Sequence, residues 1–195
     1  EPKGGEARFL CGNAWRPATR SSAEALSAVA LSFAAVRARL TGGPVGVAVV
    51  ARGGTRIEAW MPREALQTCE PGRHALALAQ DPEVRAAAAY DRERFRPWQE
   101  TRLSKWGLGR ALAGELYGSL LAPLAGLPLT GVLWYQGESN TNGSEDARQY
   151  EILLLAFIRA IRDAWAEPQL PFLLVGLPRY EPDEPTRLAW DLLRA

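Results

Sequence analysis

Short apolar runs alternate with longer amphipathic segments along this chain, and this order constrains its fold more than any other feature of the sequence. The apolar runs have the length of buried strands, and the amphipathic segments have the period of helices. The strand candidates are residues 45–51, 129–135 and 170–178. The helix candidates are residues 20–44, 109–126, 146–168 and 186–195. Strands that alternate with helices predict an α/β fold with a central parallel sheet and right-handed crossovers.

Residues 20–44 carry the clearest helix pattern. Ser21 stands three residues before Glu24, in the order of a capping box, and Gly42 marks the end. The apolar residues that recur at helical spacing are Leu26, Val29, Phe33, Val36 and Leu40. This spacing predicts an amphipathic helix that presents these side chains on one face.

Size and charge exclude several classes of protein. The 195 residues, 47% hydrophobic and 23% charged, fit one globular domain over residues 1–195. Residues from about 68 to 105 are irregular and polar, which predicts an insertion that carries one short helix. The formal net charge of +1 and the scattered arginines give no basic surface for nucleic acid. We therefore expect no nucleic-acid partner. No apolar run has the length needed to cross a bilayer, so we also expect no membrane partner.

The thiols and the imidazole give no metal-site pattern. Cys11 and Cys69 are too few for a disulfide framework and lack the paired spacing of a zinc site. Because free cysteine is often buried, we expect two unpaired thiols, with one bridge between them as the alternative. His74, the only histidine, has no acidic or thiol partner at motif spacing, so we expect it at the surface or at a helix start. The sequence therefore predicts neither a metal ion nor a cofactor.

Two polar clusters follow predicted strands. The cluster RGGT, residues 52–55, follows the strand at 45–51, and the cluster QGESN, residues 136–140, follows the strand at 129–135. In open parallel sheets, ligands bind outside the carboxyl ends of the strands. We therefore expect both clusters at one edge of the sheet. The polar side chains that the second cluster brings there are Gln136, Glu138, Ser139 and Asn140.

Donors from these clusters suit a developing negative charge. Gly53 and Gly54 allow the backbone to approach a ligand and to aim its N–H groups inward, and the Gln136 amide offers another donor. Such donors form the oxyanion hole of acyl-transfer enzymes. Each cluster by itself also fits a simpler interpretation, a tight Gly-Gly turn or a strand-end turn whose side chains satisfy local backbone.

Both clusters belong to a longer pattern. The double glycine is followed by Thr55, Glu58 and Trp60, and the block GVLWYQGESN supplies Trp134, Gln136, Gly137 and Glu138. This pattern resembles the sialate O-acetylesterase family and its acetylxylan-esterase relatives, within the SGNH hydrolase superfamily. Further segments resemble the family in the same order from about Arg8 onward. The resemblance implies a flavodoxin-like three-layer sandwich and the hydrolysis of acetyl esters on sugar hydroxyls through a serine acyl-enzyme, without a metal.

The sequence departs from the family at the residues that do the chemistry. The family's Gly-Gln-Ser-Asn block, which carries the nucleophile, and its Asp-x-x-His block, which carries the base, are both absent from these residues. A serine hydrolase needs a hydroxyl that a base activates. We therefore interpret the chain as an incomplete SGNH hydrolase domain that lacks its first strand and C-terminal block. The missing N- and C-terminal segments of the same protein are then expected partners.

The remaining site residues receive supporting roles from this resemblance. Thr55, Ser139 and Asn140 are expected to support the turns, and Ser139 is a poor nucleophile candidate because no base accompanies it. Glu138 is expected to lock the two clusters together through hydrogen bonds, although a general base is the alternative. Trp60 and Trp134 are candidates to stack on a sugar ring of the acetylated substrate, with packing in the core as the alternative for most of the seven tryptophans. Trp60 is the better candidate because it lies close to Gly53 and Gly54.

Two other functions compete with the esterase. The same donors and aromatic rings could bind an acetylated glycan without cleaving it, in a non-catalytic module or an inactive fragment. A phosphate-binding domain built on RGGT lacks the Gly-Lys-Ser/Thr ending of a P-loop, in which a lysine precedes the hydroxyl residue, and ranks last. The family resemblance is compatible with a periplasmic or secreted protein, but no signal peptide is visible, so the compartment stays unassigned.

Overall fold

The computed structural model describes residues 7–11, 14–19, 26–93, 100–180 and 184–194. The chain divides into two compact units, Glu1–Ala51 and Arg52–Ala195, which we describe separately. The single domain expected for residues 1–195 stays a prediction.

The first unit is a three-stranded sheet with one helix. Its strands are β1 (Ala7–Cys11), β2 (Ala14–Pro17) and β3 (Val45–Ala48), in the order β2-β1-β3. The strand β1 pairs antiparallel with β2 and parallel with β3, and helix α1 (Ala28–Thr41) connects the parallel pair. The sequence predicted β3 and its helix, but not the hairpin that precedes them.

Helix α1 differs from the predicted helix in its start and in its buried face. Ser27 caps it, because the Ser27 hydroxyl oxygen accepts a hydrogen bond of 3.3 Å from the Ala30 N–H, whereas Ser21 and Glu24 lie outside the described residues. The predicted apolar face is also wrong in part, since the Val36 and Leu40 side chains are 53% and 78% exposed. Small side chains occupy the buried face instead, namely Ala30, Ala34 and Ala38.

The second unit begins with three helices, and two of them lie where the sequence predicted one short helix. Helices α2 (Arg63–Gln67), α3 (Glu70–Gln80) and α4 (Pro82–Arg92) follow a 3-10 helix at Ile57–Trp60. Residues 68–105 therefore hold two helices of 11 residues, not one short helix. The signal for α4 is present in the sequence, because the Asp81 carboxylate caps its first turn and Pro82 stands at its first position. That these residues form an insertion stays a prediction.

The predicted helix at 109–126 is shorter and irregular. It consists of a π-helix at Tyr117–Leu121 followed by a 3-10 helix at Ala122–Leu124, after a 3-10 helix at Arg102–Trp106. Gly114 has a φ of +79° and donates its N–H to the Glu58 carbonyl at 2.9 Å, so the chain turns there and does not continue as a helix.

The last part of the second unit confirms a βαβ arrangement. Strands β4 (Val132–Trp134) and β5 (Phe172–Leu174) pair in parallel, and helix α5 (Ser144–Ala164) connects them. Helix α6 (Glu184–Arg194) packs against α5. The Phe157 ring of α5 is 1% exposed and lies between the Trp134 and Phe172 rings, at centroid distances of 4.4 and 6.1 Å. These contacts form the core beneath the small sheet.

The described strands form two small sheets within a mixed α/β structure. The α/β class with parallel strands is therefore confirmed, while the three-layer sandwich and the absence of a first strand and C-terminal block stay predictions. Cys69 is a half-buried free thiol, but the side chain of Cys11 is not described, so the absence of a disulfide also stays a prediction. His74 is exposed on α3. Within the described ranges, no helix has both the length and the apolar character to span a membrane.

Candidate functional site

The two polar clusters of the sequence meet in the second unit. We call residues 52–55 the glycine turn and residues 136–140 the glutamine turn. The Gln136 side chain joins them, because its Nε2 donates a hydrogen bond of 3.0 Å to the Thr55 carbonyl oxygen. Residues 81 positions apart in the sequence are therefore held together by one amide.

The glycine turn packs against residues 109–110 on one side and is exposed at Gly53. Gly54 has a φ of +72°, which favours glycine, and its carbonyl accepts a hydrogen bond of 2.7 Å from the Arg110 N–H. Gly109 packs backbone to backbone against this turn, since a Cβ at Gly109 would lie 2.6 Å from the Gly54 oxygen. Gly53 is exposed, and the N–H groups of Gly53 and Gly54 donate to no residue that the structure describes. These two donors are free to bind an oxygen of a ligand.

Thr55 and Trp60 stabilise the glycine turn from the core. The Thr55 hydroxyl donates to the Arg52 carbonyl at 2.7 Å and accepts a hydrogen bond of 3.0 Å from the Trp60 indole N–H. The Trp60 side chain is 4% exposed and meets the Trp134 ring edge-on. The structure thus corrects the prediction that Trp60 stacks on a sugar, because a ring buried in this way cannot offer a face to a ligand.

The Gln136 amide is fully hydrogen-bonded. Its Nε2 donates to the Thr55 carbonyl and to Asn140 Oδ1, both at 3.0 Å, and its Oε1 accepts from the Tyr150 hydroxyl at 2.9 Å. Both amide hydrogens are therefore engaged within the protein. The oxyanion role of Gln136 stays a prediction, and it requires one of these hydrogens to be shared with, or transferred to, a ligand.

Asn140 connects the glutamine turn to the 3-10 helix Ile57–Trp60. Its side chain is 0% exposed, and its Oδ1 accepts from the Ile57 N–H as well as from Gln136, each at 3.0 Å. Its Nδ2 donates to Glu58 Oε2 at 3.1 Å. Asn140 therefore holds the glutamine turn against this 3-10 helix by bonding three partners at once. Its role in supporting a catalytic site stays a prediction.

A buried charge cluster lies at the end of this network. All five N–H groups of Arg56 donate hydrogen bonds, to the carboxylates of Glu58 and Asp146 and to the Gly107 carbonyl. The shortest distance to each of these three acceptor groups lies between 2.8 and 3.2 Å. Burial lowers the pKa of the Arg56 guanidinium, but the charges of Glu58 and Asp146 and their hydrogen bonds outweigh burial and raise this pKa above its ordinary value. Arg56 is thus a permanent cation that ties the residue after the glycine turn to the first turn of α5.

Tyr150 is one of the residues beside the two turns that the sequence analysis missed. Its hydroxyl accepts from the Trp134 indole N–H at 3.0 Å and donates to Gln136. Burial raises the pKa of this hydroxyl, the hydrogen bond from Trp134 opposes the shift, and the charges of Glu138 and Glu58 add to it, so the hydroxyl keeps its proton at neutral pH. A signal was available in the sequence, because Tyr150 stands three and seven residues before Leu153 and Phe157, on one face of a predicted helix, and a buried phenol needs a hydrogen-bond partner.

Glu58, not Glu138, locks the two turns together. The Glu138 side chain is exposed and its carboxylate makes no hydrogen bond to any described residue, which corrects the bracing role predicted for it. Ser139 is half-buried and its hydroxyl likewise has no partner in the described ranges. The physical reason is position, since both residues lie in a 3-10 turn at the surface, while Glu58 is 7% exposed beside Arg56 and Asn140.

The backbone conformation and close packing at Gly137 explain why the glutamine turn contains a glycine at this position. Its φ is +154°, and a Cβ there would lie 2.7 Å from Leu193 Cδ2 and 3.2 Å from Leu177 Cδ1. The backbone of the turn is therefore in close contact with helix α6. Within the described residues, no three His, Cys, Asp or Glu side chains are grouped so that they could hold a metal ion.

Comparisons with known proteins relate this geometry to an enzyme family. Residues 99–193, which include the glutamine turn and α5, match the family model described as carbohydrate esterase, sialic acid-specific acetylesterase. The chain is 29% identical over 146 residues to the sialate O-acetylesterase of Rattus norvegicus, and 30% identical over 141 residues to that of Homo sapiens.

These alignments cover 70% and 69% of this chain but only 27% and 22% of the relatives, so the chain spans about a quarter of their length. The crystal structure of a carbohydrate acetylesterase from Xanthomonas citri superimposes on 97% of this chain and 38% of its own, with a TM-score of 0.62 and 25% identity. The family model, the curated relatives and the solved structure agree, and they support the resemblance found in the sequence: the chain is similar to carbohydrate acetylesterases, including the sialic acid-specific ones.

Proposed function

We propose that the protein containing this chain hydrolyses acetyl esters on sugar hydroxyls, and that the glycine turn supplies donors to the oxyanion of the reaction. The observation that carries this proposal is the hydrogen bond from Gln136 to the Thr55 carbonyl, which sets the glutamine turn beside two backbone N–H groups without a described acceptor. Backbone N–H groups without an acceptor are the kind of donor that stabilises the tetrahedral intermediate of acyl transfer. An acetylated sugar, such as an O-acetylated sialic acid, is the substrate class we propose.

The roles in this site divide between binding and support. Gly53 and Gly54 bind the developing oxyanion, and Gln136 joins them when the ester oxygen replaces one of its present acceptors. Thr55 and Asn140 hold the two turns. Glu138 and Ser139 lie at the surface of the site, where an exposed carboxylate and a hydroxyl can hydrogen-bond the hydroxyls of a sugar.

The nucleophile and its base are proposed to lie in the rest of the protein. The relatives are roughly four times as long as the segment they share with this chain, and the chain itself holds one histidine, exposed on α3. A serine in a Gly-x-Ser block and an Asp-x-x-His block outside residues 1–195 would complete the catalytic group.

Labelling of the complete protein with a fluorophosphonate tests this assignment. The reagent modifies an activated serine, and peptide mass spectrometry identifies which serine it is. We expect one labelled serine outside residues 1–195, and the same labelling in the Ser139→Ala variant. A label on Ser139 would place the nucleophile in the glutamine turn, and a complete protein without any labelled serine would favour the glycan-binding module.

A further inference from the structure

One chain of hydrogen bonds in the second unit has a single direction. The Trp134 indole donates to the Tyr150 oxygen, the Tyr150 hydroxyl donates to Gln136 Oε1, and Gln136 Nε2 donates to Asn140 Oδ1. Asn140 Nδ2 then donates to the Glu58 carboxylate, which also accepts from Arg56. Every link points toward the same carboxylate.

The two ends of this chain fix its direction. An indole N–H can only donate, so the Tyr150 oxygen must accept from Trp134, and its hydrogen is left for Gln136. An ionised carboxylate can only accept, so Asn140 must turn its Nδ2 toward Glu58 and its Oδ1 toward Gln136. The Tyr150 hydroxyl has two acceptors on Gln136 at 2.9 Å, Oε1 and the backbone carbonyl, whereas the Thr55 carbonyl and Asn140 Oδ1 both require the Gln136 Nε2. The Thr55 and Asn140 oxygens therefore select the orientation of the amide, and Oε1 then faces the Tyr150 hydroxyl and accepts from it.

The opposite orientation of this amide would be costly. A flipped Gln136 would place its oxygen against the Thr55 carbonyl and Asn140 Oδ1, which are both acceptors. It would also place its nitrogen against the Tyr150 hydroxyl, whose hydrogen would have to move to the Gln136 backbone carbonyl at 2.9 Å. Buried polar groups left without a partner in this way are unfavourable, and fully satisfied networks favour one arrangement.

We propose that Tyr150 is a positioning residue of the esterase site: its hydroxyl holds the Gln136 amide with Nε2 toward the glycine turn, so that it acts on the reaction without touching the substrate. The inference rests on the proposed function only for its effect on catalysis. The orientation of the amide itself depends only on residues of this polypeptide and not on the proposed function.

A double-mutant cycle on the complete protein tests the catalytic part. With a chromogenic acetyl ester, Tyr150→Phe should lower kcat by about tenfold with little change in KM, because the aromatic ring stays and only the hydroxyl is lost. In the Gln136→Ala background the same substitution should change kcat by less than about twofold, since its target is gone. Tyr117→Phe is the control, because the Tyr117 hydroxyl has no hydrogen bond to the residues described. An equal loss in both backgrounds, or no loss in the wild type, would overturn the proposal.

Nuclear magnetic resonance provides a readout that needs no activity. In protein labelled with ¹⁵N-glutamine, the Gln136 side-chain hydrogens are identified by their absence in Gln136→Ala, and they should exchange slowly with solvent. Tyr150→Phe should shift them and speed their exchange, whereas Tyr117→Phe should not. If Tyr150→Phe does not fold, Trp134→Phe replaces it, since it removes the donor that orients the hydroxyl. Unchanged Gln136 hydrogens in the folded variant contradict the inference, while a wild type without esterase activity contradicts only the proposed function.

Discussion

Replacement of Glu58 by alanine is expected to lower the free energy of unfolding by about 3 kcal/mol, the lower end of the range of about 3–5 kcal/mol for breaking a buried ion pair. The Glu58 and Arg56 side chains are 9% and 12% exposed, and their shortest contact is 2.9 Å. Among the described residues, removal of the carboxylate leaves Arg56 with Asp146 as its one charged partner and leaves Asn140 Nδ2 without an acceptor. The lower end applies because the Asp146 contact of 2.8 Å remains.

Urea unfolding of the complete protein, followed by tryptophan fluorescence, measures this loss. The matched control is Glu64→Ala, which removes an exposed carboxylate of helix α2 that has no hydrogen bond to a described residue. Surface changes of this kind stay within about 0.5 kcal/mol. If Glu58→Ala were as stable as Glu64→Ala, Glu58 would not hold the two turns together.

Replacement of Gln136 by alanine is expected to lower kcat by roughly 10²–10³, as the loss of one oxyanion donor does in other hydrolases. KM should change little, because the lost hydrogen bond matters mainly when negative charge develops on the ester oxygen. The variant also loses the contacts to Thr55 and Asn140, so a smaller loss of stability, about 1–3 kcal/mol, accompanies the kinetic effect.

Kinetics with a chromogenic acetyl ester, measured well below the melting temperature of the variant, separate the two contributions. Ser139→Ala is the control within the same turn, and its kcat should stay close to that of the wild type. A normal kcat for Gln136→Ala with a lowered melting temperature would show that Gln136 only joins the turns. Loss of turnover in Ser139→Ala would contradict the assignment of the nucleophile.

The sequence predicted the meeting of the two turns but not the groups that hold them. Parallel strands and their polar ends suggested that residues 52–55 and 136–140 serve one site, and the hydrogen bond from Gln136 to Thr55 places them together. The identity of the bracing carboxylate was not predictable in this way. Glu58 follows Gly54 and Glu138 follows Gly137 within a few residues, and only their three-dimensional burial distinguishes the two carboxylates.

Helix α1 shows a similar limit of pattern reasoning. Periodicity selected the large side chains, including Val36 and Leu40, as the buried face. In the structure the alanines form the buried face of this helix, and Ala34 is 0% exposed. Small side chains let a helix approach its neighbours closely. Helical spacing alone cannot choose between two faces when both contain apolar residues.

The most direct test of the account is to measure acetate release by the complete protein from an O-acetylated sialic acid and from an acetylated xylan oligosaccharide. An enzymatic acetate assay quantifies the product, and isothermal titration calorimetry measures binding of the same sugars. The account predicts catalytic release of many equivalents of acetate per protein molecule, with release reduced roughly 10²–10³-fold in Gln136→Ala. Binding of an acetylated sugar without any release of acetate would contradict it and would identify the protein as a glycan-binding module.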